Sequence, residues 1–272
     1  MSMSREKLLK TIQEVANTKQ PTLSLFNSDL TELPREIALL THLESLDLSD
    51  NSLRSLPNEI GLLTNLKHLN LDYNDLEKLP SSLTKLIELK ELDVSHNNLK
   101  KLPKDIGNLS QLQRFNLSAN KLKELPNSFK HLSQLTELDC SENQLNHLPA
   151  FIGNFKRLMS LNASENQLLS LPDSLINLCE LTHLNVGYNK IKEIPTSICQ
   201  LSSLCLLDVS KNQISHLPTA IEQLTDLRSL ILRSNKLKSL PKQIGHLHKL
   251  KNLDIAYNKI VKLPKEIAQL YQ

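Results

Sequence analysis

The chain of 272 residues has no tryptophan, five glycines, four cysteines and only 3% aromatic residues. Each shortage excludes something. So few glycines leave little backbone able to wrap a phosphate group, and no GxxxxGK loop, HExxH pair or Gly-x-Ser-x-Gly elbow occurs. Nucleotide hydrolysis, zinc proteolysis and serine-hydrolase chemistry therefore lack their usual carriers. Scarce aromatics offer no stacking platform for nucleic-acid bases. Cys140, Cys179, Cys199 and Cys205 show neither CxxC spacing nor flanking clusters, which argues against a zinc or disulfide framework and for a reducing, cytoplasmic compartment. No apolar run approaches the roughly 18 residues of a membrane span, and the opening MSMSREKLLKTIQEVA interleaves polar with aliphatic residues, unlike an export signal. The Asn-x-Ser triplets at Asn108, Asn116 and Asn162 are accordingly read as unglycosylated. Charge also lacks a dominant sign: 32 Lys plus Arg stand against 29 Asp plus Glu, too even a balance to nominate nucleic acid or an anionic membrane.

What is present is leucine at a fixed step. Asn51, Asn74, Asn97 and their successors to Asn258 recur every 23 residues without one insertion, as do Pro34, Pro57 and their successors to Pro264, which defines eleven units. The first unit is imperfect, with Ser28 where Asn is expected. One period from Leu43 reads LESLDLSDNSLRSLPNEIGLLTN, apolar at positions 1, 4, 6, 11, 14, 18 and 21. The alternation Leu46-Asp47-Leu48 predicts a short strand with both leucines inward. Pro57 can open a short helical segment, where its missing N–H costs nothing, with Ile60 and Leu63 on one inward face. The Asn side chain is expected to be buried at the turn, bonding backbone groups that have no ladder partner. One such unit cannot bury enough surface to order itself, so stability must come from stacking, and the ends need caps. Leu8, Ile12 and Val15, with Leu9 and Ala16 beside them, make the apolar stripe of an N-terminal capping helix. At the other end no dedicated cap is visible, so either the LPKEIAQL segment is expected to close the stack or a longer protein to have been cut there.

These residues resemble the leucine-rich repeat family, specifically its 23-residue LPxxI subtype, over residues 21 to 270. The resemblance implies an α/β fold: a right-handed solenoid or horseshoe arc with a parallel concave sheet of about 11 strands, short helices on the convex side and an N-terminal capping helix. It divides the chain into residues 1–20, the cap, and 21–272, the repeat domain of 11 repeats of 23 residues with the last one partial. Similar repeats occur in Ras-group and Scribble-like scaffolds, in plant intracellular repeat proteins and in effectors of intracellular bacteria such as Legionella. The insertion-free units rich in Lys and Asn look most like the effectors. The resemblance then implies a non-enzymatic module that binds a partner protein on its concave face. A substrate-recognition part of a ubiquitin-ligase type enzyme, or a regulatory subunit for a phosphatase or small GTPase, is the alternative it also suggests.

Strand geometry turns repeat positions 3, 5 and 7 onto the concave face, with position 8 at its rim. Position 5 alternates Asp47, Asn70, Asp93, Asn116, Asp139 and Asn162. On strands about 4.8 Å apart this spares carboxylates from facing one another, and it also sets them too far apart for a metal cluster or an acid/base pair. No catalytic or metal-ligating residue and no cofactor is therefore assigned. The four columns carry eleven acids against Arg114, Lys211 and Arg233. A face of that sign repels nucleic acid and suits a partner with basic and apolar surface. Lysines such as Lys100, Lys121 and Lys236 gather on the flank after each turn and are read as a solvated edge.

Two residues break the polar columns. Leu206 at position 3 and Ile231 at position 5 of the next unit are aliphatic, and diagonal neighbours on a sheet are within side-chain reach. His183, Tyr188, Asp208, Lys211, Arg228, Arg233 and Tyr257 fall around them. An apolar centre ringed by Arg, Tyr and His has the composition of a binding hot spot, so this is the candidate partner site. His68, Tyr73, His96 and Arg114 form a secondary candidate, and Phe26 is expected to pack under the cap helix. The chain is read as a monomer.

Overall fold

The structure, a computed structural model, describes residues 3–271; Met1, Ser2 and Gln272 lie outside the described residues, and with them the outermost bounds of the two expected segments. The chain divides into two compact units, Met1–Leu135 and Thr136–Gln272.

The first unit opens with helix α1 (Arg5–Thr18), started by the Ser4 hydroxyl, which accepts from Lys7 N, and ended by Lys19 in the left-handed region. Its Leu8, Ile12 and Val15 are buried, and it packs on the 3₁₀ segment Arg35–Leu40. Five strands follow, β1 (Thr22–Ser24), β2 (Ser45–Asp47), β3 (His68–Asn70), β4 (Glu91–Asp93) and β5 (Arg114–Asn116). Each pairs in parallel with the next, one repeat on, so that Leu46 faces Leu69 and Leu69 faces Leu92. The central residue of each strand is buried. The return limb of most repeats is not an α-helix but a 3₁₀ turn of three to six residues, with a proline such as Pro57 or Pro80 just before it. A 23-residue period leaves too few residues for longer helix, and the tighter turn, with its N–H donating to the carbonyl three residues back, fits the space. Phe115, in a leucine position, stacks on Phe129 at 5.7 Å, so the larger rings fill the core as a pair.

The asparagine spine forms as the repeat predicts. Asn97 Oδ1 accepts from Leu76 N at 2.9 Å, and its Nδ2 donates to the carbonyls of Leu71, Val94 and Ser95. One side chain thus satisfies backbone groups of two successive turns. Immediately before each Asn the chain takes a positive φ: Asp50, Tyr73, His96 and Ala119 in this unit lie between 47° and 54°. That conformation costs a non-glycine residue about 1–2 kcal/mol, and the four asparagine bonds hold it. On the opposite side the 3₁₀ turns pack closely. A Cβ on Gly107 would stand 1.9 Å from the Ser128 carbonyl oxygen.

The second unit repeats the design with β6 (Glu137–Asp139), β7 (Ser160–Asn162), β8 (His183–Asn185), β9 (Leu206–Asp208), β10 (Ser229–Ile231) and β11 (Asn252–Asp254), paired in parallel in chain order. Its four cysteines are unpaired. Cys140 fills a strand core position, where burial pushes its thiol well above the ordinary range, and burial likewise pushes Cys199 up to about 11. Both are held as neutral, unreactive thiols.

Three expectations change. The position 7 serines are not free surface: Ser95, Ser118, Ser141 and Ser164 are buried, each hydroxyl turned back to the Asp or Asn two residues earlier. Phe26 does not pack under α1; it is 55% exposed, because its position lies on the sheet side, while the adjacent Leu25 takes the core place. The last turn is not closed: Val261 is 95% exposed, Leu263 is exposed, and Leu253, Ile255 and Ile260 are only half-buried although the segment Lys265–Tyr271 packs on Lys242–His246.

Candidate protein-interaction face

The outward columns of each unit are laid side by side by register. In the second unit Leu206 faces His183 on one side and Ser229 on the other, and Ile231 lies between Asp208 and Asp254. Leu206 and Ile231 are both half-buried, which leaves an apolar step in a polar sheet. Along the adjacent turns, where the backbone is left-handed at Tyr188, Lys211, Ser234 and Tyr257, the side chains stack from one repeat to the next. Lys211 Nζ sits 4.2 Å from the centre of the Tyr188 ring, and the Arg233 guanidinium 4.4 Å from that of Tyr257. Such cation–π contacts are worth about 0.5–1 kcal/mol at exposed sites. Arg233 also lies 3.7 Å from Asp254.

Tyr188, Lys211, Arg233 and Tyr257, with Ser210 and Ser234, line one shallow depression of about 380 Å³. The structure therefore gathers four of the nine sequence-predicted residues into one recess and sets Leu206, Ile231 and Asp208 on the sheet beside it. His183 and Arg228 do not join the recess: the His183 ring nitrogen bonds the Thr182 hydroxyl at 2.9 Å, and Arg228 precedes the strand. Ser210, Ser234 and Gly187 are the residues that sequence reasoning passed over. The visible clue was Gly187, at a position that most repeats give to serine. A Cβ there would meet the Ser210 hydroxyl at 2.9 Å and Asp208 Oδ1 at 3.2 Å.

In the first unit the residues of the secondary candidate fall into two separate sets of contacts, and only Tyr73 of the four lines a depression. The rings of Tyr73 and His96 stack at 4.0 Å and 7°. His96 Nδ1 lies 3.0 Å from Asp72, which also accepts from the Ser95 hydroxyl at 2.7 Å. Glu91 takes both Arg114 and, at 3.2 Å, His68. A depression of about 300 Å³ there is lined by Phe26, Ser49, Asp50, Asp72 and Tyr73, so its walls are acidic and aromatic. The Asp/Asn ladder forms in both units: Asn116 donates to Asp93 at 3.0 Å and Asn162 to Asp139 at 2.9 Å. Among the described residues no group of three or more His, Cys, Asp or Glu side chains is placed to hold a metal. No helix among them is long and apolar enough to cross a membrane.

Comparison with known proteins agrees with this architecture. The family profile described as a leucine-rich repeat region matches residues 9–98 and 80–186, and a second leucine-rich repeat profile matches 179–237 and 206–260. No curated protein matches. Among solved structures, a leucine-rich repeat protein of Leptospira interrogans is 34% identical, with a TM-score of 0.80 over 99% of this chain and 73% of that one. The ectodomain of the Arabidopsis thaliana membrane receptor kinase GASSHO1/SCHENGEN3, solved in complex with CASPARIAN STRIP INTEGRITY FACTOR 2, is 30% identical with a TM-score of 0.76, over 93% of this chain but 34% of its own. The functional domain of InlJ from Listeria monocytogenes is 28% identical with a TM-score of 0.70, over 92% of this chain and 57% of that one.

Proposed function

Because the chain belongs to the leucine-rich repeat family, whose fold generally mediates protein–protein interaction, we propose that it binds a partner protein on its strand-side face, centred on the second unit. One observation carries this reading: Leu206 and Ile231 leave an apolar step in a polar sheet, bordered by exposed Tyr188, Lys211, Arg233 and Tyr257. Aromatic and arginine side chains around an apolar centre are what dominate binding energy at interfaces. The elsewhere acidic face suits a partner that is mainly basic and apolar. Its role is recognition, with no chemical step assigned to it.

Affinity capture with the wild-type chain and with a Leu206→Asp plus Ile231→Asp chain, read by mass spectrometry, tests this. The double change is expected to abolish capture of the specific partner while the unfolding temperature stays nearly the same, since both side chains are only half-buried. Equal capture by both chains would overturn the site and move attention to Tyr73 and Arg114.

The reading extends to an LPxxI-type effector of bacterial origin acting on a host protein in the host cytoplasm. Its support is the insertion-free Lys- and Asn-rich repeats and the likeness to a bacterial repeat protein. A split-luciferase fragment fused to the chain, with its complement in the host cytoplasm, tests it; absence of reconstituted signal during infection overturns it.

A further inference from the structure

The recess in the second unit has a chemistry opposite to the face around it. Lys211 and Arg233 line it together, each laid over a tyrosine ring, with Ser210 and Ser234 in the same lining. Among the described residues Lys211 has no carboxylate within ion-pair distance; its one contact is the Tyr188 ring, which leaves the outer side of the ammonium open. Of the two nearby acids, Asp208 accepts from Ser210 N at 2.8 Å, while Asp254 accepts from Ala256 N and lies 3.7 Å from Arg233, so it offsets part of that arm's charge and leaves Lys211 as the uncompensated one.

Ser210 supplies a second and independent sign. At the same repeat position the hydroxyls of Ser49, Ser95, Ser118, Ser141 and Ser164 are all spent on the Asp or Asn two residues back. The Ser210 hydroxyl makes no such bond, and Ser210 lines the recess. Gly187 is the reason the space is open. In the equivalent turn five repeats earlier, Asp72 occupies that place and its carboxylate takes both the Ser95 hydroxyl and the His96 ring. Replacing the carboxylate by hydrogen, and histidine by lysine, turns a closed acidic turn into an open cationic one.

We propose that this recess binds an anionic side-chain group, carboxylate or phosphoryl, presented by an acidic segment of the protein partner, with Lys211 and Arg233 as the charged arms and Ser210 and Ser234 as neutral donors. The proposal rests on the interaction reading above and adds the class of group recognised. Planar guanidinium and flexible ammonium together suit either anion, and the apolar step of Leu206 and Ile231 beside them favours a peptide over a lipid headgroup.

The test is fluorescence anisotropy at low ionic strength with three labelled probes: hexaglutamate, a Gly-Ser peptide carrying one phosphotyrosine, and hexalysine. Both anionic probes should bind the full chain; the tighter of the two names the group. Lys211→Gln plus Arg233→Gln should weaken them about tenfold, and Gly187→Asp, which rebuilds the closed turn, should do the same while circular dichroism shows the fold unchanged. Lys100→Gln plus Lys121→Gln removes equal charge from the first unit's solvated flank and should change affinity less than about twofold. Overturning results are no binding of either anionic probe, equal loss with the first-unit control, or undiminished binding by the Lys211/Arg233 variant. Binding of phosphatidylserine vesicles but of neither anionic peptide would reassign the cations to a lipid surface and also end the proposal. If the peptides fail while capture still depends on Leu206 and Ile231, only the anion inference falls; the converse leaves the recess and removes the apolar centre.

Discussion

The turn around Tyr73 and the turn around Tyr188 occupy the same place in the repeat, five periods apart, and the backbone treats them alike. Both tyrosines sit at φ near 50°, and both precede an asparagine that bonds two successive turns. What differs is the neighbours. Asp72, Ser95 and His96 close the first turn into a hydrogen-bonded knot; Gly187, Ser210 and Lys211 leave the second open, with a hydroxyl and an ammonium that have no hydrogen-bond or ion-pair partner among the described residues. A repeat scaffold thus keeps the backbone constant and writes its chemistry in three or four outward side chains.

The largest effect should show where the units are the same. Asn97→Ala and Asn212→Ala each remove four bonds to backbone groups, at least one buried in each case, and each should cost about 3 kcal/mol. Denaturant unfolding measures this, and a difference of more than about 1 kcal/mol between the two, beyond the usual non-equivalence of sites, would break the equivalence of the units. All four cysteines lie in the second unit, so alkylation of buried Cys140 and Cys199 reports its opening. Asn212→Ala should accelerate that labelling more than Asn97→Ala does, with exposed Cys179 reacting first in every variant. Equal acceleration by both would mean that the units open as one.

A smaller effect separates packing from recognition. Gly107→Ala drives a Cβ into a backbone carbonyl and should cost about 1–3 kcal/mol. Gly187→Ala meets only side-chain ends that can rotate away, at 2.9–3.3 Å, and should cost under about 0.5 kcal/mol. Reversal of that order in thermal unfolding would show that Gly187 is kept for packing rather than for space.

Carrying the open turn across sharpens the comparison further. Asp72→Gly, His96→Lys and Ser118→Arg together copy the second-unit pattern into the first, and the phosphotyrosine peptide should then bind at two sites instead of one by calorimetric titration. Unchanged stoichiometry would mean that Tyr257 or Ser234 is also needed. The smallest effect belongs to Glu91→Gln, which breaks the exposed contacts to Arg114 and His68 and should shift stability by only about 0.5 kcal/mol.

Much of this architecture is legible in one period. Leu46-Asp47-Leu48, Pro57 and the asparagine at position 9 announce strand, return limb and spine because each answers a local demand: alternation, a missing N–H, and a turn with unpaired backbone. The site was legible only in part. Leu206 and Ile231 stand out as apolar letters in polar columns, and register confirms their neighbours. Gly187 and Ser210 did not stand out, since an absent side chain and a hydroxyl without a partner have meaning only when the next repeat is laid against them. Phe26 went wrong for a different reason: its repeat position, one period before Ser49, already turns it to the sheet side, whatever its nearness to the cap in sequence.

Sequence alone determined the period, the leucine and asparagine columns of the core and the outward columns at positions 3 and 5, because hydrophobic repetition at a fixed step admits one way of stacking. Tertiary structure alone decided which outward residues share a recess. That choice follows from the left-handed residue before each asparagine, which swings position 8 of one repeat over position 8 of the last. Lysine laid over tyrosine, and serine left free, result from contacts made 23 residues apart.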